Sequence, residues 1–208
     1  MFITFEGIDG SGKSTQARLL AESLRVLGHD VVLTREPGGS PGAEDIRALV
    51  LRGDPGRWSP ETELLLFNAA RRDHVERTIQ PAINAGRIVV CDRFADTTRL
   101  YQGAASAELR ETAEIIHARL IKLEPDVVIL IDMDPEIALS RGLARKSGED
   151  RFEEMGLAFQ QKQRAGYHAL AQASPKRFAT FDGGLEIKTL AEQILKHVVT
   201  KLPPKLSS

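Results

Sequence analysis

Gly7-Ile8-Asp9-Gly10-Ser11-Gly12-Lys13-Ser14 decides how this chain is read. The stretch has the form G-x-x-x-x-G-K-S. Phe2-Ile3-Thr4-Phe5 stands before it, short, apolar and β-prone. From Thr15 to Leu24, leucines recur at helical spacing. Strand, glycine loop and helix in that order mark a phosphate-binding loop, not a glycine turn beside a surface lysine. Ordinary residue usage would give the eight-residue pattern in about 1% of chains this long, and the flanking context lowers that further.

Each piece has a physical task. Glycine lets the backbone bend tightly and turn its N–H groups toward phosphate oxygens. The helix that begins near Lys13 aims its positive end at the same phosphates. Lys13 reaches the β- and γ-phosphates, and the Ser14 hydroxyl is a ligand for Mg²⁺. Gly7 to Thr15 is therefore the expected ATP site.

The bulk of the chain sets the frame. Its 208 residues suggest one domain with a sizeable core. With 42% hydrophobic and 27% charged residues it is of ordinary globular composition, which argues against disorder. A net charge of −1 gives no support for a nucleic-acid partner. The single cysteine, Cys91, excludes an internal disulfide framework and reads as a small buried residue. A strand beginning at residue 2 leaves no room for a signal peptide, and no apolar run approaches the ~20 residues of a membrane span. A soluble, cytoplasmic protein is expected. The five histidines have no metal-binding spacing.

Strands are expected at Asp30–Thr34, Arg87–Cys91, Val127–Ile131 and Phe178–Phe181. Helices are expected at 43–52, from Pro60 to about Ala85 with a bend before Pro81, and at 107–122, 136–146, 158–173 and 185–201. Residues 203–208 read as a loose tail. Apolar strands alternating with helices predict an α/β fold: a five-stranded parallel sheet with helices on both faces. Ligands of such sheets sit at the carboxyl ends of the strands. Asp9, Glu36, Asp92 and Arg93 should converge there.

The phosphate acceptor must be read elsewhere. Asp92, ending a strand near the loop, can hold Mg²⁺ through water, and Arg93 offers a planar fork to a phosphate. On residue type alone, a structural ion pair at the strand end is an equal reading. Phe67 and Arg71, at i and i+4, suit a planar base that one stacks on and the other bonds. Phe67 also follows Leu64-Leu65-Leu66, and taken alone the core reading is the stronger. A GTPase switch would need an N-K-x-D loop, which the sequence lacks. A kinase for another small molecule and a non-catalytic nucleotide-binding regulator remain the alternatives.

Taken together, the segments FEGIDGSGKST, TREPGGS, LLLFNAARRDHV, DRFADTTRLYQG and DMDPEIALSR, with Phe159, Lys162, Arg164 and Tyr167, resemble the thymidylate kinase family. Order and spacing match over nearly the whole chain. The resemblance implies phosphorylation of dTMP to dTDP by ATP and Mg²⁺ in a P-loop nucleoside-monophosphate-kinase-like homodimer. It also implies roles for individual residues. Asp9 would contact the sugar 3′-hydroxyl, Phe67 would stack on thymine and Arg71 would bond its edge. Arg93, with Arg47, would hold the dTMP phosphate. Thr98 would read the pyrimidine and Tyr101 would disfavour a 2′-hydroxyl. Glu36, Pro37, Thr97 and Gln102 would complete the acceptor pocket. Asp92 would position Mg²⁺ and phosphate together with Ser14. Relatives often carry Tyr or His where Phe94 stands, Ser at Thr97 and Ala at Leu100. Gly10 occupies the place where some members put a catalytic arginine. The resemblance then points to a lid, near 141–154, that supplies it. Candidates are Arg141, Arg145, Lys146 and Arg151, with Arg145 and Arg151 favoured as catalytic and Arg141 as an ATP contact.

Overall fold

The computed structural model describes residues 1–53, 56–103, 105–144 and 155–202. Five parallel strands, β1 (Phe2–Glu6), β2 (Val31–Arg35), β3 (Ile88–Asp92), β4 (Val127–Asp132) and β5 (Phe178–Asp182), form one sheet in the order β2-β3-β1-β4-β5. The expected fold class is the observed one. β1 lies at the centre, paired with β3 on one side and β4 on the other. The chain leaves β1 for β2 on one side and reaches β4 on the other only later. The crevice at this switch lies above β1, where the phosphate-binding loop begins.

Alternation along β1 builds two cores. Ile3 and Phe5 join Leu20 and Leu24 of α1 (Lys13–Val26) and Ile194 of α9 (Ile187–Val199) on one face. Phe2 packs on the other face with Val75, Ile79 and Phe94. Period-two side-chain direction also sends Glu6 to that second face, with no exposure. Here the sheet is covered by α3 (Pro60–His74), α5 (Ala95–Tyr101) and α8 (Gly156–Ala173), among others. α2 (Pro41–Leu51) packs on α3.

Local chemistry explains the element ends. Ser59 caps α3 through Thr62 N–H, and Pro60 fills the first helical position. The expected bend before Pro81 is a widened turn: Val75–Ile79 is π-helical, and Gln80 N–H reaches back to Val75 O before α4 (Gln80–Asn84) resumes. Proline lacks an N–H and its ring excludes the carbonyl four residues earlier, so one extra residue in the turn relieves the clash. The helix expected over 107–122 is α6 (Ala107–Ile116) followed by a second π turn, His117–Ile121, which ends at left-handed Lys122. α7 (Pro135–Leu143) is capped by Asp134 and ends at Leu143, and residues 145 and 146 of the helix expected over 136–146 lie outside the described residues. α5 was not expected at all. The tail at 203–208 and most of the lid, 145–154, lie outside the described residues. No described helix is long and apolar enough to cross a membrane.

Cys91 is fully buried in the second core, and burial pushes its thiol well above the usual range. It is a packing residue, as the sequence suggested.

Candidate active site

The three loop glycines Gly7, Gly10 and Gly12 all have positive φ, at 140°, 83° and 97°. Side chains are unwelcome there. At Gly10 a Cβ would overlap the backbone carbonyl of Ala138 in α7. α7 thus packs its backbone directly on the loop, and glycine is the residue that lets it. The absent loop arginine has a steric counterpart here.

A cavity of about 260 Å³ opens at the loop, lined by Asp9, Gly10, Gly12, Lys13 and Ser14. From β2 and its loop it takes Arg35, Glu36 and Pro37, and from α2 Arg47. Phe67 and Arg71 of α3 and Asp92 and Arg93 of the β3 end form further walls. Thr97, Thr98, Tyr101 and Gln102 close it. The structure therefore brings nearly all expected acceptor and phosphate residues into one cleft. Gly7, Ile8, Ser11 and Thr15 do not line it. Gly7 backs onto Ile131, and Ile8 is a core residue beside Val128 and Leu130 whose carbonyl accepts from Lys13 Nζ at 2.7 Å. Arg141 is exposed on the last turn of α7, with Nη1 3.9 Å from Met133 Sδ, and does not line the cleft either. Arg145, Lys146 and Arg151 lie outside the described residues.

The cleft lining carries an excess of cations, Lys13, Arg35, Arg47, Arg71 and Arg93 against Asp9, Glu36 and Asp92, and some of these are paired. Arg93 Nη2 donates to Asp9 Oδ1, and Tyr101 OH donates to Asp9 Oδ2 at 2.9 Å. Burial pushes the Asp9 carboxyl up, but the Arg93 and Lys13 cations outweigh it and hold it below its usual range. Burial, then repulsion from Arg93, draws Lys13 down to about 8. Arg93 has φ 71°, an uncommon conformation for a residue with a side chain, stabilised by its surroundings.

Arg71 is buried and fixed by three bonds: to Glu36 Oε2 at 2.7 Å, Thr98 Oγ1 at 2.9 Å and Phe94 O at 3.1 Å. Its Nη1 has no acceptor among the described residues. His74 Nδ1 meets the other Glu36 oxygen at 3.1 Å. Phe67 satisfies both readings given above: it packs with Val50 and Leu51 and also faces the cleft. Arg47 Nη1 donates to Pro37 O at 2.6 Å, which ties α2 to the β2 loop.

The departures at positions 94 and 100 have packing reasons. The Phe94 ring meets Phe2 edge-on at 4.9 Å, with the Arg71 guanidinium 5.2 Å from its centre. A polar ring there would lose the apolar wall. Leu100 fills the space beside Gly166, where a Cβ would lie 2.7 Å from Leu100 Cδ2. The larger residue at 100 is matched by the smallest at 166.

The donor set suits Mg²⁺. Asp92 Oδ1 is buried without a donor among the described residues, and Ser14 presents a hydroxyl to the same cavity. Hard oxygens in small number, leaving room for water and phosphate, are what this ion prefers. No cluster of three or more His, Cys, Asp or Glu that could hold another metal occurs among the described residues.

Sequence reading missed two groups. Glu6 is buried with its carboxyl pushed up to about 7, by burial first and then by Asp96. An acid ending an apolar strand was the available signal, because a buried carboxylate requires partners. Asp132 at the end of β4 takes a two-pronged bond from Arg164, at 2.7 and 2.8 Å, and a contact from His168 at 3.0 Å. Phe159, also on α8, meets Tyr101 edge-on at 5.4 Å. α8 is thereby clamped to the sheet and to the cleft wall.

Known proteins agree with this geometry. The sequence model of the family described as thymidylate kinase matches residues 5–194. Thymidylate kinase of Ruegeria pomeroyi is 60% identical over 202 residues, covering 97% of this chain and 96% of the relative. That of Dinoroseobacter shibae is 62% identical over 196 residues, with 94% and 95% covered. The crystal structure of thymidylate kinase from Ehrlichia chaffeensis superposes with a TM-score of 0.76 at 33% identity, covering 96% of this chain and 98% of that one. Loop, cleft and whole-length similarity agree, and the chain belongs to the thymidylate kinase family.

Proposed function

We propose that this cleft transfers the γ-phosphoryl group of ATP to the phosphate of dTMP, giving ADP and dTDP. One observation carries the reading. A buried phosphate-loop lysine and a second, half-buried cation, Arg93, face one cavity, and Asp9 of the loop itself holds Arg93 in place. Two polyanions can be gathered there, in line, without a strong base, since the accepting phosphate oxygen is already anionic.

Each residue then has a task. Lys13 and the loop N–H groups neutralise the donor phosphates. Arg93 holds the acceptor phosphate, with Arg47 near the same wall. Phe67 offers a face to thymine, and Arg71, pinned by Glu36, presents Nη1 to its edge. Asp9 and Tyr101 meet the sugar. Ser14 and Asp92 would hold Mg²⁺, which when bound supplies further neutralisation of the transferring group. The basic residues that the resemblance offers for neutralising the transferring group, Arg145 and Arg151 first among them, lie outside the described residues.

The reading is tested by ADP formation with ATP and Mg²⁺ and with dTMP, dUMP, UMP, dCMP, dGMP or AMP as acceptor. A strong preference for dTMP is expected. Preference for another monophosphate would overturn the roles of Phe67, Arg71 and Tyr101. ATP binding without acceptor-dependent ADP would leave a nucleotide-binding regulator.

The same reading assigns the reaction to the cytoplasm and pairs the chain with a second copy. Leu65 on α3, Ile115 on α6 and Leu120 beyond it are 61%, 54% and 56% exposed, and such side chains gain from mutual burial. Sedimentation at micromolar concentration should give twice the chain mass of 22.9 kDa, and a single-chain mass would reject the pairing.

A further inference from the structure

Glu6 lies outside the cleft lining, yet its hydrogen-bond partners flank Arg93 on both the backbone and the side-chain side. Its Oε1 accepts from Phe94 N–H at 2.9 Å, the peptide that follows the left-handed Arg93. Its Oε2 accepts from Thr97 Oγ1 at 2.6 Å and from Tyr167 OH at 3.0 Å. Those hydroxyls lie 3.0 Å apart, and Arg93 Nη1 lies 3.0 Å from the first and 3.2 Å from the second.

The direction of the Arg93 bonds is forced, and at least one of the two hydroxyls must then donate to Glu6. A guanidinium only donates, so both hydroxyls accept from Arg93. Each must send its own hydrogen elsewhere, and one carboxylate oxygen stands within reach of both. The chain of bonds runs from Arg93 through the two hydroxyls to Glu6. Arg93 Nη2 is held separately by Asp9, and Nε has no acceptor among the described residues.

We propose that Glu6 is a positioning residue for the acceptor phosphate, orienting Arg93 through the hydroxyls of Thr97 and Tyr167. The proposal rests on the reading of Arg93 as the group that holds the dTMP phosphate. It assigns a function to a carboxylate that touches no substrate and whose burial is otherwise unfavourable.

Glu6→Gln is the test, because it keeps the shape and reverses the polarity of one atom. With the amide oxygen toward Phe94 N–H, the NH₂ faces two hydroxyls that already accept from Arg93; one hydroxyl can donate to the other, and the hydrogen of the second loses its acceptor. With the amide flipped, two N–H groups oppose each other. Neither orientation satisfies the network.

At pH 8, KM for dTMP should rise about 10–100-fold, as expected when a catalytic contact is misplaced by a fraction of an ångström to an ångström. KM for ATP should stay within about twofold. Inhibition by thymidine, which lacks the phosphate, should be unchanged. Thr97→Val and Tyr167→Phe should each give part of the effect, and neither should add fully to Glu6→Gln. These two variants carry the same test if Glu6→Gln does not fold.

Equal weakening of dTMP and thymidine would make Glu6 a general structural residue and overturn the proposal. So would an unchanged KM for dTMP in all three variants while Arg93→Lys raises it. If Arg93→Lys leaves KM for dTMP unchanged, the reading of Arg93 itself falls.

Discussion

Lys13→Ala lowers kcat by roughly 10³-fold or more while leaving the protein folded. Loss of one preorganised donor to developing charge costs about 10²–10³ in rate, and loss of a full cation at a transferring phosphoryl group costs as much or more. Stability should move the other way. The lysine is buried, and its folded pKa, about 8, lies below the ordinary lysine value of 10.5. A lysine depressed in this way penalises the fold at every pH below about 8, and the penalty fades as pH rises toward 10.5. Removing it at pH 7 relieves that strain, so the thermal midpoint should hold or rise. In the parent enzyme the same shift gives a kinetic signature. kcat/KM for ATP should fall as pH rises through about 8, because it reports the free enzyme. kcat should persist to higher pH, since bound phosphates favour the charged lysine. A Lys13→Ala variant with parental turnover would refute the mechanism.

Arg93→Ala should lose both activity and stability. kcat/KM for dTMP is expected to fall about 10³-fold, the scale of truncating one member of a buried charge pair at an interface. Here the charge left behind is internal. Asp9 loses its main counter-ion, and the Thr97 and Tyr167 hydroxyls lose the donor that orders them. Breaking a fully buried pair by removing one partner costs about 3–5 kcal/mol, but these side chains keep 14% and 20% of their surface open to the cleft, so about 2 kcal/mol is expected. In a chain of this size that lowers the thermal midpoint by roughly 5 °C. Calorimetry beside steady-state rates separates the two variants: one loses chemistry alone, the other chemistry and fold. An unchanged midpoint for Arg93→Ala would show that Asp9 finds another partner.

What the sequence disclosed and what it withheld divide along the range of the interactions. The phosphate loop was legible because its demands are local: glycines at positive φ, then a lysine at the first turn of a helix. The strands were legible as apolar runs with turn residues at their ends. α5 was not, because ADTTRLY carries no helical periodicity and no capping residue. It is held instead from afar. Asp96 is bonded by Arg177, Arg99 by Glu114 and Glu124, and Thr97 by Glu6. Glu6 escaped for the same reason, its partners lying 88, 91 and 161 residues away. Phe67 could be read as core or as stacking surface because it is both. The acceptor pocket became legible as a pattern of whole segments, whereas Arg141, named from the resemblance as an ATP contact, does not line that cleft.

The contact between Gly10 and the Ala138 carbonyl also restricts how such an enzyme can change. A lone exchange of Gly10 for arginine would bring the new cation at the expense of the loop that is to use it. Gain of a loop-borne arginine is therefore a second step. The first is a displacement of α7 that is neutral while glycine remains, and only a descendant carrying that shift can accept the larger residue.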